Sequence, residues 1–348
     1  FFIFLMTGNK KIRIPRAEFD YKGRPCSIIS VGAYVPEKIL SNADLEKMVN
    51  TTDEWITTRT GIKERRIAAK DEFTSDLATK AALKAIERGN IKPEEIDLII
   101  VATITPDMPF PATACLVQNK LGAKRAAAFD LEAACSGFIY GLEVGQQFII
   151  SRTFETVLVI GAEKLSTIVD WQDRNTCVLF GDGAGAAILR HRENSHGLLT
   201  ACMGSDGGKS NLIVMPAGGS RNPATIETIN SRLHYLKMEG RETFKNAVTA
   251  MYTAANEALK RCNLDVSQIK CIIPHQANKR IIEAVRERLG ASESQFFVNL
   301  HKYGNTSAAS VAIALYEVVQ SGKINRGDLI MLLAFGAGLT WAAAIIEW

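Results

Sequence analysis

The feature that most constrains the fold is an internal repeat. Thr74–Arg88 and Thr243–Arg261 are both Ala-rich, with apolar residues every three or four positions, the spacing of a helix with one buried face. Each is followed by a short link and an apolar run, NIKPEEIDLIIVAT in one case and NLDVSQIKCIIPHQ in the other. Aligned on Ile96 and Ile269, the copies lie 173 residues apart, close to half of the 348-residue chain. The agreement continues downstream: AAAFDLEAACSGF and QFFVNLHKYGNTSAAS each read as a strand-like run leading into a helix of small residues. TVLVIGAE from Thr156 and DLIMLLAFGAG from Asp328 then read as strands buried on both faces. Strand and helix alternating in two copies predict an α/β fold: two similar halves, buried mixed sheets, and helices covering them in layers. HRENSHG reads as a polar turn, which sets the expected boundary near residues 190 to 200. The halves are then 24–195 and 196–348, behind an N-terminal tail of residues 1–23.

Composition narrows the function classes. At 47% hydrophobic the chain can bury a large core, and its 41 basic and 37 acidic residues are spread without a run able to wrap nucleic acid. FFIFLM is six apolar residues with Lys10, Lys11 and Arg13 after it, the inverse of a secretory signal and too short to span a bilayer. Elsewhere apolar runs are broken within about ten residues, so no membrane association is expected. Seven cysteines without CxxC pairs fit a reducing compartment, and their spacing against five histidines suggests no metal site. With no Ser/Arg-rich leader in the sequence, the expected location is the cytoplasm.

Three residues stand out. Cys135 follows a strand-like run and opens the segment SGFIYGLEVGQQFII, so it sits at the start of a buried helix, where free amides and the helix dipole lower a thiol's pKa. Cys177 and Cys271 fall in strand-like runs and Cys262 ends a helix; none of the other six cysteines combines a strand end with a helix start. His275 comes directly after CIIP, and Asn305 lies between a strand-like run and a small-residue helix. Active sites of α/β sheets collect at the carboxyl ends of strands, so duplication brings Cys135, His275 and Asn305 to one end of the layers. A thiolate there can take an acyl group from a thioester, with backbone amides holding the oxyanion. The turn FGAGLTW, from Phe335, can supply one such amide. A neutral His and an Asn amide suit an enolate formed by loss of CO₂. GDGAGA, from Gly181, lacks the spacing of a nucleotide loop and reads as a tight structural turn.

Six segments, in order, resemble one family: DEWITTRTGI, DLEAACSGF, FGDGAGAAIL, PHQANKRI, YGNTSAAS and FGAGLTW. The chain resembles β-ketoacyl-acyl-carrier-protein synthase III, the initiating condensing enzymes of type II fatty-acid synthesis within the thiolase superfamily, over residues 27–348. The resemblance implies a thiolase-like αβαβα fold and a homodimeric acyltransferase. It would condense an acyl-CoA, by default acetyl-CoA, with malonyl-acyl-carrier protein, giving 3-oxoacyl-carrier protein, CoA and CO₂. It implies Cys135, His275 and Asn305 as catalytic residues and the amides of Cys135 and Ala337 as the oxyanion hole. Trp55, Arg59, Arg174 and Asn278 would contact coenzyme A, which is a substrate; no cofactor is implied. Arg280, with Lys279 and Lys245, would meet the carrier protein's acidic surface, and Phe110 would cross to close the partner's acyl pocket. Ala337 replaces the middle of the three glycines common in the closing loop, so its φ should tolerate a Cβ.

Rival readings fit less well. A degradative thiolase wants a further catalytic cysteine near its C-terminus, and none follows Cys271. Elongating condensing enzymes use two histidines, and a papain-like hydrolase, which shares Cys, His and Asn, does not fit a duplicated α/β pattern. A specialised condensing enzyme of polyketide or quinolone type, using another acyl donor, remains the alternative.

Overall fold

The computed structural model describes residues 25–192 and 197–348, together with the backbone of Phe4–Thr7 and Lys10–Arg13, which pair as an antiparallel hairpin within the segment read as a tail. Apart from two short two-stranded ribbons, Ile39–Ser41 with Glu64–Arg66 and Ile213–Val214 with Lys237–Met238, the remaining described strands form one sheet. Those from the first half are β1 (Cys26–Tyr34), β2 (Leu98–Ala102), β3 (Ala127–Leu131), β4 (Thr156–Glu163) and β5 (Gly183–His191). Those from the second are β6 (Gly197–Ser205), β7 (Cys271–Pro274), β8 (Leu329–Gly336) and β9 (Thr340–Glu347).

Strand order exposes the duplication. The first half runs β1-β5-β4-β2-β3 and the second β6-β9-β8-β7. In both, the first two pairings are antiparallel and the next is parallel. The halves are stitched where Gly197 pairs with Cys26. The second-half counterpart of β3 is reduced to one parallel bridge, Ile272 to Phe296, so the run expected as a strand in QFFVNL is not one. The reason is local. The Phe297 N–H reaches the Ile272 carbonyl, but the Asn299 and Leu300 amides donate to the Gln276 side chain, which takes over from the neighbouring strand. The expected boundary turn falls largely on residues 193–196, outside the described residues, between the end of β5 and the start of β6.

The helices complete five layers. α2 (Thr74–Gly89) and α3 (Thr113–Leu121) cover the outer face of the first half, packing Leu77, Ala81 and Val117 against Leu158 and Ile160. α4 (Gly137–Ile150) and α7 (Ala309–Gln320) form the middle layer, where Phe138 and Val311 meet Val157 and Val159 of β4 and Ile330 and Leu332 of β8. α5 (Gly240–Arg261) and α6 (Lys279–Leu289) cover the second outer face, against Met331 and Leu333. α1 (Asp53–Thr60) lies beside α6. Side chains alternate between inner and outer layers along β4 and β8, as a two-residue period requires when both faces are buried.

GDGAGA is structural, but only its start is a connector. From Gly183 the chain is already in β5, and a Cβ on Gly185 would stand 2.4 Å from that of Ala312, so the glycine lets α7 lie close on the sheet. Cys177, expected in a strand, ends a one-turn helix, Arg174–Cys177, where it is buried.

Candidate active site

Cys135 and His275 follow the carboxyl ends of β3 and β7, while Asn305, joined to Phe180 by one parallel bridge, lies ahead of α7 without the strand expected before it. Cys135 sits in a 3₁₀ turn, Ala134–Ser136, that follows β3 and runs straight into α4. Ala134 has φ of 45°, a left-handed conformation unusual for a side chain with a Cβ. Gly336, ending β8, closes on this turn so tightly that a Cβ there would stand 2.6 Å from the Cys135 nitrogen. The Thr340 hydroxyl, 2.9 Å from the Ala133 carbonyl and 3.0 Å from that of Ala337, ties the closing loop to the turn. Ala337 is not among the positive-φ residues; that burden falls on Gly338, at 130°, which explains why an alanine fits.

The thiol departs from expectation. Burial pushes it up to about 12, against the pull of the Ser307 hydroxyl. The lowering expected from a helix start is outweighed by desolvation, so Cys135 rests as a protonated thiol.

His275 leaves the end of β7 with its N–H on the Leu333 carbonyl, 2.7 Å. Its Nδ1 lies 2.6 Å from Ser310 Oγ in the first turn of α7. Burial holds the ring down to about 3, so the imidazole is neutral at any physiological pH. Asn305 is fixed by its backbone, its N–H on the Leu179 carbonyl and its own carbonyl receiving the Gly181 N–H. Its Oδ1 accepts the Ser307 N–H at 2.8 Å, which leaves the NH₂ as the group turned to other partners. Gln276 couples the two loops: its amide donates to Pro274 and Phe297 carbonyls while its oxygen receives Asn299 and Leu300. Sequence reasoning missed Ser307, Ser310 and Gln276. The serines were hidden in a small-residue run read only as helix.

The other candidates fall in two further groups. Trp55, half-buried on α1, has the Arg59 and Arg174 guanidinium carbons 5.0 and 4.8 Å from its ring centroid. Arg174 also donates to the Asn50 carbonyl and borders a cleft with Met48, Val49, Asn50 and Gln172. Asn278 caps α6 by accepting the Arg280 N–H and donates its amide to the Arg59 carbonyl. Arg280 lies over Phe244, next in chain to Lys245, so Lys245, Lys279 and Arg280 share the face formed by α5 and α6. Lys245 and Lys279 are paired there with Glu242 and Glu283. Phe110 stands apart, 84% exposed. Among the described residues no cluster could hold a metal ion, and no helix is long and apolar enough to cross a membrane.

A duplicated five-layer α/β fold with a cysteine between β3 and α4, a histidine after β7 and an asparagine ahead of α7 defines a thiolase-like condensing enzyme, an acyltransferase. Residues 129–207 match the family 3-oxoacyl-[acyl-carrier-protein] synthase III, and residues 259–348 match its C-terminal part. A β-ketoacyl-[acyl-carrier-protein] synthase III from Caldanaerobacter subterraneus is 59% identical over 92% of this chain and 97% of its own length. The solved 3-oxoacyl-[acyl-carrier-protein] synthase III of Aquifex aeolicus is 50% identical, covers 93% of this chain and 100% of its own, and superposes with a TM-score of 0.86. A priming β-ketosynthase from a polyketide pathway superposes at 0.87 with 36% identity, covering 93% of this chain and 96% of its own. The chain belongs to the β-ketoacyl-acyl-carrier-protein synthase III family.

Proposed function

We propose that this enzyme condenses an acyl-CoA, by default acetyl-CoA, with malonyl-acyl-carrier protein, releasing CoA and CO₂ and giving the 3-oxoacyl-carrier protein that starts fatty-acid synthesis. Cys135 Sγ attacks the thioester carbonyl, the Cys135 and Ala337 amides receive the oxyanion, and the CoA thiolate leaves an acyl-cysteine. Malonyl-carrier protein then loses CO₂, and its thioester oxygen becomes an enolate held by His275 and Asn305. The enolate carbon attacks the acyl-cysteine and the Cys135 thiolate departs.

The observation supporting condensation over hydrolysis is the neutrality of the donor pair. A hydrolase histidine must accept a proton, whereas His275, held down to about 3, cannot keep one at neutral pH. In this reading the Ser310 hydroxyl, 2.6 Å from His275 Nδ1, donates to it, which puts the ring hydrogen on Nε2, where it can be given to the enolate oxygen. With the Asn305 NH₂ this makes two uncharged donors.

We read the remaining contacts in the same frame, with halves 24–195 and 196–348 supplying the nucleophile and the donor pair respectively. Trp55 and Arg174 part to take the adenine between them, with Arg59 and Asn278 alongside. Arg280, Lys279 and Lys245 meet the acidic carrier protein, where they steer encounter more than they set affinity. Phe110, too exposed for an unpartnered aromatic, enters the acyl pocket of a second subunit in a homodimer. The test is CoA release from acetyl-CoA, with and without malonyl-carrier protein, before and after alkylation of Cys135. Release that needs malonyl-carrier protein and is lost on alkylation supports condensation. Release sustained by water alone contradicts it.

A further inference from the structure

Arg65 heads the fully buried side chains by size, yet its guanidinium meets only neutral oxygens among the described residues. It lies in the ribbon strand Glu64–Arg66, across from Leu40. One terminal nitrogen, Nη1, donates to the Leu40 carbonyl at 3.1 Å and to Asn42 Oδ1 at 2.9 Å; the other, Nη2, donates to the Val178 carbonyl at 2.8 Å. Its Nε is buried without a partner. A buried cation with no counter-charge is costly, and what this one gains in exchange is its hold on separate segments of chain.

Two of the acceptors lead into the candidate site. Asn42, itself buried, turns its amide on both ends of α1, donating to Asp53 Oδ1 at 2.7 Å and to the Ile62 carbonyl at 2.8 Å. Trp55 and Arg59 are carried on α1. Val178 directly follows the one-turn helix Arg174–Cys177, whose first residue is the second cation on the Trp55 ring. From Val178 the chain runs on through Leu179 and Gly181, which hold the backbone N–H and carbonyl of Asn305. The stem of Arg65 packs on that junction as well. A Cβ on Gly181 would stand 3.0 Å from Arg65 Cβ and 2.4 Å from the Tyr303 carbonyl oxygen, and one on Gly304 would stand 3.4 Å from Arg65 Cβ and 2.7 Å from the Leu179 carbonyl oxygen. Glycine at both places lets these segments close around the arginine.

We propose that Arg65 is a positioning residue that fixes the proposed coenzyme A contacts, Trp55 with Arg59 and Arg174, relative to the proposed enolate donor Asn305. This rests on the functional reading above. The guanidinium sets the distance between Asn42 and Val178, so α1 and the Arg174 helix keep the spacing in which the acyl donor lies, and the segment after Val178 carries Asn305. A planar fork reaches several acceptors in fixed directions, which an ammonium on a flexible stem does not. Arg65 itself touches no substrate in this role. Its influence divides: the Asn42 branch serves acyl-CoA binding alone, whereas the Val178 branch serves binding and the enolate step together.

Arg65→Lys and Asn42→Ala separate the branches. Three quantities are measured on folded protein: KM for acetyl-CoA, single-turnover discharge of acyl-Cys135 by malonyl-carrier protein, and alkylation of Cys135 by iodoacetamide. Arg65→Lys should raise KM about tenfold and slow discharge about 100-fold, with alkylation unchanged. Asn42→Ala should raise KM by the same factor and leave discharge as it was. An arginine that serves stability alone would lower the unfolding midpoint and leave KM and discharge of the folded enzyme unaltered. That result overturns the proposal, as does discharge slowed equally by Asn42→Ala. Should Arg65→Lys fail to fold, Asn42→Ala keeps the test open, since an unchanged KM there overturns it too. If the unsubstituted enzyme forms no acyl-cysteine, the functional reading has failed and the proposal with it, an outcome distinct from an active enzyme indifferent to Arg65→Lys.

Discussion

A neutral histidine is safest where water cannot reach it, and His275 shows what that placement costs in acid. Its ring titrates near 6.5 in the unfolded chain but only at about 3 when folded. Between those values the unfolded state binds the extra proton, so stability is full above 6.5 and drains away as pH falls towards 3. The whole loss is about 4 to 5 kcal/mol. Glu163, raised when folded, works in the opposite sense, weakening the fold as pH climbs from 4.5 to 7. The effect of the histidine is therefore read by difference. The unfolding midpoint of the unsubstituted enzyme should fall more steeply from pH 6.5 to 4 than that of His275→Gln, and equal slopes would contradict the burial account. Cys135 and His275 could be singled out in the sequence because each follows a run that does form a strand, whereas Asn305 was singled out from a strand-like run that forms none. Ser307 and Ser310 were not, because their importance comes from the directions in which they face across the layers.

At the scale of elements, loops that close on the site are held by groups whose type follows from backbone need. Asn278 is both the cap of α6 and a neighbour of Arg59, and these roles can be separated. Asn278→Ala should cost about 1 kcal/mol through the lost cap. Asn278→Asp keeps an oxygen for the Arg280 N–H and so keeps stability, yet sets a negative charge beside the proposed coenzyme A contact. Its KM for acyl-CoA should rise with the melting temperature unchanged; an unchanged KM would remove Asn278 from that surface. The same scale shows where pattern reading stops. TVLVIGAE and DLIMLLAFGAG announced β4 and β8 because strands buried on both faces must be apolar throughout. QFFVNL has the same look but no strand, because Gln276 claims the amides that would have built a ladder.

Across the whole molecule, the chain repeats one strand order, and Cys135, the proposed nucleophile, falls in the first copy while His275 and Asn305, the proposed donor pair, fall in the second. Condensation makes use of that division, since acyl transfer and enolate formation need different chemistry a bond length apart. The offset between Ile96 and Ile269 foretold the repeated strand order, though the second copy lacks the strand expected before Asn305. The most direct test is the acyl intermediate. The enzyme would be mixed separately with acetyl-, butyryl-, isobutyryl- and octanoyl-CoA, and adducts located by intact mass and peptide mapping, with Cys135→Ala as control. The account predicts a single acyl group on Cys135, discharged by malonyl-carrier protein as a 3-oxoacyl product. An adduct on another residue, or none with any of these donors, would contradict it.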